Sequence, residues 1–441
     1  MAIKVSMISL GCSKNQVDAE MLLADLRNNG FELKGDVSNS DAVVINTCGF
    51  IQSAKEEAIE NILEMVELKK EGTIKSIIVT GCLAQRYQDE LIKEFPEVDA
   101  VLGIGSNAEI CDAVKKALNE EQTFSFGARE NLCLDGDRIL TTLPHFAYLK
   151  IAEGCDNCCS YCAIPQIRGK FRSRSKEEII KEANWLSSQG VKEVIVVAQD
   201  TTRYGEDLYG SYQLASLLKE LCKIDGIEWI RTLYCYPDKI TDELLEVMAT
   251  EPKLVKYLDI PIQHCNKDVL KAMNRGQDKD ILKQLFADIR KKVEGITLRT
   301  TLITGFPGET KEQFVELCEF VDEVKFDRLG CFAYSAEEGT KAATMDNQID
   351  EEEKERRAEI IMNQQSIIME RLNQEKIGST IQVIVEGFDK FGECFFGRSR
   401  ADAPDIDGKI FFTSAETHVL GDFVNVLIDE VLDYDLVGHV E

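Results

Sequence analysis

The sequence has no run approaching the roughly 18 consecutive apolar residues that a membrane-crossing helix needs. Its opening segment, MAIKVSMISLGCSKNQ, lacks the sustained apolar stretch of a secretory signal and turns polar too soon. These two absences predict a cytoplasmic chain with no membrane segment. Histidine is scarce: four occur in 441 residues, with nothing at metal-ligand spacing, so His145 and His264 are expected to serve structural roles. Positive charge is in deficit, with 51 Lys and Arg against 78 Asp and Glu and a net charge of −27. Binding to a phosphate backbone relies on a basic footprint, so direct RNA binding is not favoured. An acidic surface instead steers a basic protein partner, although solubility alone would also account for the charge.

Cysteine is what the chain has in quantity. The count is fifteen, and an odd number in a reducing compartment argues for metal or thiol chemistry rather than disulfides. Cys155, Cys159 and Cys162 stand at C-x₃-C-x₂-C spacing in GCDNCCSYCAIP. A tight loop of this kind can hold three irons of a cubane cluster. A complete cluster usually takes four cysteines, so one iron is left open. The same stretch also reads as two abutting C-x₂-C pairs, Cys155–Cys158 and Cys159–Cys162. A structural zinc site separates its pairs by about a dozen or more residues so that they face one ion. Back-to-back pairs do not reach one tetrahedral ion easily, so the cluster reading is preferred and Cys158 becomes the spare thiol.

The length suggests two to four domains. Residues 1–125 alternate short apolar runs (3–10, 42–45, 76–80 and 100–104) with helical patterns such as 15–29 and 52–70, which predicts an open parallel α/β sheet domain. Residues 126–145 read as a connector. A second alternating series fills 146–349, with strands expected at 147–151, 193–198, 229–234, 256–260, 297–303 and 329–333. Five or six βα units predict a partial (β/α) barrel whose site is built at the strand C-terminal ends. Capping boxes are expected at Ser175 with Glu178 and at Thr310 with Gln313. Residues 350–376 read as a linker helix. In 377–441 the pattern alternates like strands, predicting a small antiparallel β-barrel. That tail holds four basic residues against thirteen acidic ones, a surface that would repel RNA.

A second set of cysteines stands in the first domain. Cys12 in SLGCSKNQ, Cys48 in INTCGF and Cys82 in VTGCLA each end an expected strand beside a glycine. In an open parallel sheet the strand C-terminal ends share one edge, where ligands bind. Buried cysteine is a common small hydrophobe, but three with the same placement point to a shared cluster. Two three-cysteine sites mean two 4Fe–4S clusters, each with an open iron.

Together these segments resemble the radical S-adenosylmethionine (SAM) methylthiotransferases over essentially the whole chain. The resemblance rests on ISLGCSKNQVDAE (8–20), GCDNCCSYCAIPQIRGKFRSR (154–174), QDTTRYG (199–205), LYCYPD (233–238), LDIPIQHCN (258–266), AMNRG (272–276) and TTLITGFPGET (300–310). Within that family the chain is similar to the RimO type, which methylthiolates the β-carbon of an aspartate in ribosomal protein uS12. The resemblance implies a methylthiotransferase domain, a radical SAM barrel and a C-terminal TRAM barrel. It implies that Cys155, Cys159 and Cys162 bind the SAM cluster and that Cys12, Cys48 and Cys82 bind an auxiliary one. SAM would serve both as radical source and as methyl donor, with a flavodoxin or ferredoxin as low-potential electron donor. Candidate SAM contacts are Tyr161, Gln199, Asp200, Arg299, Gly305 and Gly308, and Arg231 is a further candidate for a carboxylate of SAM or substrate. One alternative is the tRNA-modifying MiaB type, which shares the cysteine plan. It usually carries QNVNSYG-like and LPVQSG-like segments where this chain has QDTTRYG and DIPIQHCN. Another is a non-catalytic iron–sulfur carrier.

Overall fold

Runs such as AVVINT and SIIVTG, rich in β-branched residues and buried at every position, suit the central strands of a sheet covered on both faces. The computed structural model of the chain describes residues 2–440; Met1 and Glu441, the outer bounds expected for the first and last domains, lie outside them. The chain forms two compact units. One comprises Met1–Thr141, Ala152–Arg174 and Ser335–Ala343, the other Thr142–Ile151, Ser175–Tyr334 and Thr344–Glu441.

The first unit is built on six parallel strands in the spatial order Glu32–Lys34, Lys4–Ser9, Ala42–Thr47, Ser76–Gly81, Ala100–Leu102, Thr123–Ser125. Side chains alternate across the sheet. Val44 and Ile78 pack with Leu22, Leu26 and Val114 on one face, while Val43, Ile45, Ile77 and Val79 pack with Ile62 and Val66 on the other. The chain reverses its direction of travel across the sheet between Lys4–Ser9 and Ala42–Thr47, which are hydrogen-bonded neighbours. Ligands of open α/β sheets bind outside the strand carboxyl ends at such a switch point. The edge strands Glu32–Lys34 and Thr123–Ser125 are partly exposed and carry no apolar run, so periodicity does not announce them. A two-residue antiparallel ribbon, Ala152–Glu153 with Arg172–Ser173, closes the base of the cysteine loop.

In the second unit six parallel strands lie in chain order: Phe146–Lys150, Glu193–Val197, Trp229–Thr232, Leu254–Asp259, Thr297–Thr304 and Arg328–Ala333. The outer two strands do not pair, so the barrel is partial. Returning helices include Lys176–Ser188 and Lys311–Val324. At Thr310 both halves of the capping box form, and at Ser175 the hydroxyl accepts from Glu178 N. The helix Glu351–Gln374 leads to a closed barrel of five strands. Four of its pairings are antiparallel, whereas Ile410–Thr413 and Asp435–Val440 run parallel. The barrel is tied to the sheet by buried ion pairs, Arg398 with Glu193 at 2.7 Å and Arg328 with Asp402 at 2.5 Å. Among the described residues no helix is long and apolar enough to cross a membrane.

Candidate cluster sites

Cys12 is the N-cap of helix Ser13–Asn28, Cys48 directly follows Ala42–Thr47, and Cys82 opens the short helix Cys82–Arg86 after Ser76–Gly81. Three adjacent strands therefore deliver one cysteine each at their carboxyl ends, two of them flanking the switch point. The backbone approach is close. A Cβ on Gly11, whose φ is +90°, would stand 2.6 Å from Cys48 Cβ and 2.9 Å from its Sγ, so only glycine fits there. Asn15 ties the strand ends together, donating to Leu10 O at 2.7 Å and Thr47 O at 3.3 Å, and Asn46 donates to Asn15 O at 2.8 Å. Burial, with a contribution from the neighbouring Cys12, pushes the Cys48 thiol up. Burial lifts Cys82 to about 12 against the opposing pull of Arg168.

The second trio occupies the loop between the two strands of the ribbon. Cys155 N donates to Gly169 O at 3.2 Å and Cys162 N to Cys159 O at 3.1 Å. The backbone N–H of Ile164 points at Cys162 Sγ from 3.4 Å, the kind of contact that stabilises a ligating thiolate. Cys155, Cys159 and Cys162 are partly buried, whereas Cys158 is exposed and takes a left-handed φ of +49°. Ala342 N holds Ser160 O at 2.8 Å. Tyr161, partly buried, lies in the same loop. Among the described residues no three His, Cys, Asp or Glu side chains converge on one point as a single-ion site would need. A cluster gives each cysteine its own iron and requires no such convergence, so the lack of a single-ion site does not decide for or against a cluster at either trio.

Arg168, on the helix Ile164–Arg168 that follows Cys162, reaches the first trio. Its side chain is 2% exposed. Nη2 lies 3.1 Å from Cys82 Sγ and donates to Asn15 Oδ1 at 3.0 Å, while Nη1 donates to Asp18 and to Glu153 Oε2 at 3.3 Å. Burial alone would depress this guanidinium, but Cys82, Asp18, Glu153 and Cys12 hold its pKa well above the ordinary value.

In the second unit Gln199 and Asp200 follow Glu193–Val197. Asp200 is buried, accepting from Thr202 Oγ1 at 2.7 Å and pairing with Lys239 at 2.5 Å. Arg299 pairs with Asp259 at 2.8 Å and Asp407 at 3.7 Å. Arg231 is fully buried against Glu193 at 2.8 Å. Gly305 has φ +71°, and a Cβ there would strike Lys354 Cγ at 2.1 Å; Gly308, φ +81°, is exposed and faces open space. Glu309 closes this loop by accepting from Gly305 N at 2.7 Å and pairing with Arg357 at 2.8 Å. His145 is buried on Glu386 at 3.2 Å. His264 is buried too; its Nδ1 accepts from Asn266 N at 2.9 Å, which places the proton on Nε2.

Three family models match the chain in succession: the uncharacterized protein family UPF0004 over residues 4–103, the radical SAM superfamily over 149–321 and the TRAM domain over 377–440. A protein of Clostridium botulinum (strain Hall) named ribosomal protein uS12 methylthiotransferase RimO is 49% identical over 439 residues, covering 99% of this chain and 98% of that one. The chain belongs to the RimO family of radical SAM methylthiotransferases. Proteins of the same name from Clostridium tetani, 48% identical with 99% and 98% covered, and Desulforamulus reducens, 49% identical with 99% of each covered, agree. The radical SAM methyltransferase TsrM of Kitasatospora setae shares the fold, with a TM-score of 0.56 at 14% identity over 76% of this chain and 75% of that one. Membership implies a 4Fe–4S cluster and SAM.

Sequence reading did not single out Arg168 or Asp18, although both lie within quoted motif segments. Their residue types announce a charged pair but not a partner 150 positions away. A buried arginine in a cysteine-rich loop is a recognisable signal only once its contacts are known.

Proposed function

We propose that this chain methylthiolates the β-carbon of an aspartate in ribosomal protein uS12, in the cytoplasm, using two 4Fe–4S clusters. Near-complete coverage by RimO relatives carries the reading. Cys155, Cys159 and Cys162 would hold the SAM-binding cluster, and Cys12, Cys48 and Cys82 the auxiliary one. When bound, these groups supply an electron for SAM cleavage and an open iron for a sulfur fragment. The domain division at 125, 145, 349 and 376 belongs to this proposal; the three family matches, over 4–103, 149–321 and 377–440, each fall within one of its domains.

Tyr161, Gln199, Asp200, Arg299, Gly305 and Gly308 are the proposed SAM contacts. Asp200, beyond the carboxyl end of Glu193–Val197, and Arg299, within Thr297–Thr304, enter as groups already ion-paired, which fixes their orientation. Gly308 is exposed with open space at its α-carbon, and its N–H is held by Asn347 O at 3.0 Å. A flavodoxin or ferredoxin would deliver the electron.

The barrel supports a basic protein as substrate. Of its four basic residues, Arg398 is buried on Glu193 and Arg400 is half-buried on Pro252 O, leaving Lys390 and Lys409 exposed. Asp405, Asp429, Glu430 and Asp433 remain on the surface. Asp402 and Asp407, by contrast, face inward to Arg328 and Arg299 and are cross-ties rather than docking charges.

The deciding experiment incubates the reconstituted protein anaerobically with uS12, SAM, sulfide and a reductant. Gain of one methylthio group on a single aspartate is expected. 5′-Deoxyadenosine without modified uS12 would move the search to another acceptor, and neither product from a fully loaded protein would favour a cluster carrier.

A further inference from the structure

We propose that Arg168 is a positioning residue of the auxiliary cluster: its guanidinium hydrogen-bonds the Cys82 sulfur and holds the cluster's reduction potential above the value that three thiolates alone would set. The inference rests on Cys12, Cys48 and Cys82 holding a cluster.

The geometry is specific. Arg168 belongs by backbone to the loop of the second trio, on the helix immediately after Cys162, yet its side chain is inserted beside the first. The fork is divided between two tasks. Nη1 is occupied by the carboxylates of Asp18 and Glu153, which neutralise a charge that would otherwise be costly to bury. Nη2 is held by Asn15 Oδ1 at 3.0 Å and directed at Cys82 Sγ at 3.1 Å. Asn15 is itself anchored to the ends of two cluster-bearing strands. The planar guanidinium makes these directions mutually dependent, and lysine, a point charge, cannot reproduce them.

A thiolate ligand of a cluster carries more negative charge in the reduced state. An N–H donor to that sulfur therefore stabilises reduction, and more strongly in a dry interior. The two carboxylates more than offset the guanidinium's single charge, so the directed hydrogen bond, not net charge, is left as the lever that raises the potential. Second-layer donors of this kind commonly govern both ligand orientation and affinity at metal centres.

The test uses the full chain carrying Cys155→Ala, Cys159→Ala and Cys162→Ala, so that one cluster remains. Iron content, an EPR-monitored redox titration and ¹⁵N pulsed EPR on protein labelled at the arginine guanidinium are measured. Expected are about four irons per chain and a resolved ¹⁵N coupling to the reduced cluster. Arg168→Gln should make reduction at least tenfold less favourable, about 59 mV for one electron, with Arg168→Lys in between. Four bound irons with no ¹⁵N coupling and an unmoved potential would overturn the proposal. If Arg168→Gln does not load, the coupling in the Arg168 protein and the Arg168→Lys potential decide. No iron whatever the residue at 168 would instead refute the auxiliary cluster itself, and the proposal with it.

Discussion

Arg398 of the C-terminal barrel and Glu193, the first residue of the strand Glu193–Val197, form a 2.7 Å ion pair with side chains 2% and 0% exposed. Each partner is bound again, Glu193 by Arg231 at 2.8 Å and Arg398 by Glu386 at 2.7 Å, and Glu386 is bonded to His145. The barrel is thereby fastened to the parallel sheet by charge rather than by apolar packing alone. Such a network is expensive to bury and more expensive to break, because the surviving charge is left without its counterion.

Arg398→Met should therefore destabilise the chain by about 3–5 kcal/mol, whereas the exposed Lys390→Met should stay within about 0.5 kcal/mol of wild type. Chemical denaturation followed by circular dichroism reads both. Equal midpoints for the two variants would show the buried pair to be dispensable.

The two cysteine trios should separate by function. Cys48→Ala should lose about half the iron and all methylthiolation while still forming 5′-deoxyadenosine. Cys159→Ala should keep the other half of the iron and lose both products. Iron assay and product chromatography check this, and indistinguishable behaviour of the two variants would count against two centres.

His264 sets a pH dependence. Burial, with the Arg357 cation adding to it, depresses its pKa from 6.5 to about 3. The unfolded chain takes up this proton as pH falls below 6.5, and the folded one does not until about 3. The contribution to stability is thus complete above pH 6.5 and drains away between 6.5 and 3. Glu309, raised by burial, leans the opposite way, since its neutral form is favoured on folding. The reading is accordingly the difference between wild type and His264→Gln, with wild-type stability rising more steeply with pH across that window. Parallel profiles would disprove it.

Docking of uS12 should depend on exposed acids alone. Reversing Asp405, Asp429, Glu430 and Asp433 to lysine should slow association on the order of tenfold and flatten its salt dependence, without changing iron content. Association rates measured at two ionic strengths test this; an unchanged rate would detach the barrel from substrate binding.

Much of this architecture was legible because it is local. Apolar runs such as EVIVV announced the central strands, and Thr310 with Gln313 announced a helix start that the structure shows in full. The strand-end placement of Cys12, Cys48 and Cys82 followed from the same runs. What periodicity does not carry is contact across distance. Arg168 reaches Cys82 over 86 positions, and Asp402 meets Arg328 over 74, so sequence showed only their charges. Edge strands such as Glu32–Lys34 give the core one apolar side chain, Leu33, and otherwise rely on pairing to a neighbour, so they leave no apolar run to read.

The absence of a side chain at Gly11 has a bearing on how this surface tolerates change. Any β-carbon there would claim the volume of the Cys48 thiol. In a saturation mutagenesis library selected for iron retention, position 11 should be as intolerant as the cysteines beside it, although it offers iron no donor atom. Part of the specification of this site is space that must stay empty.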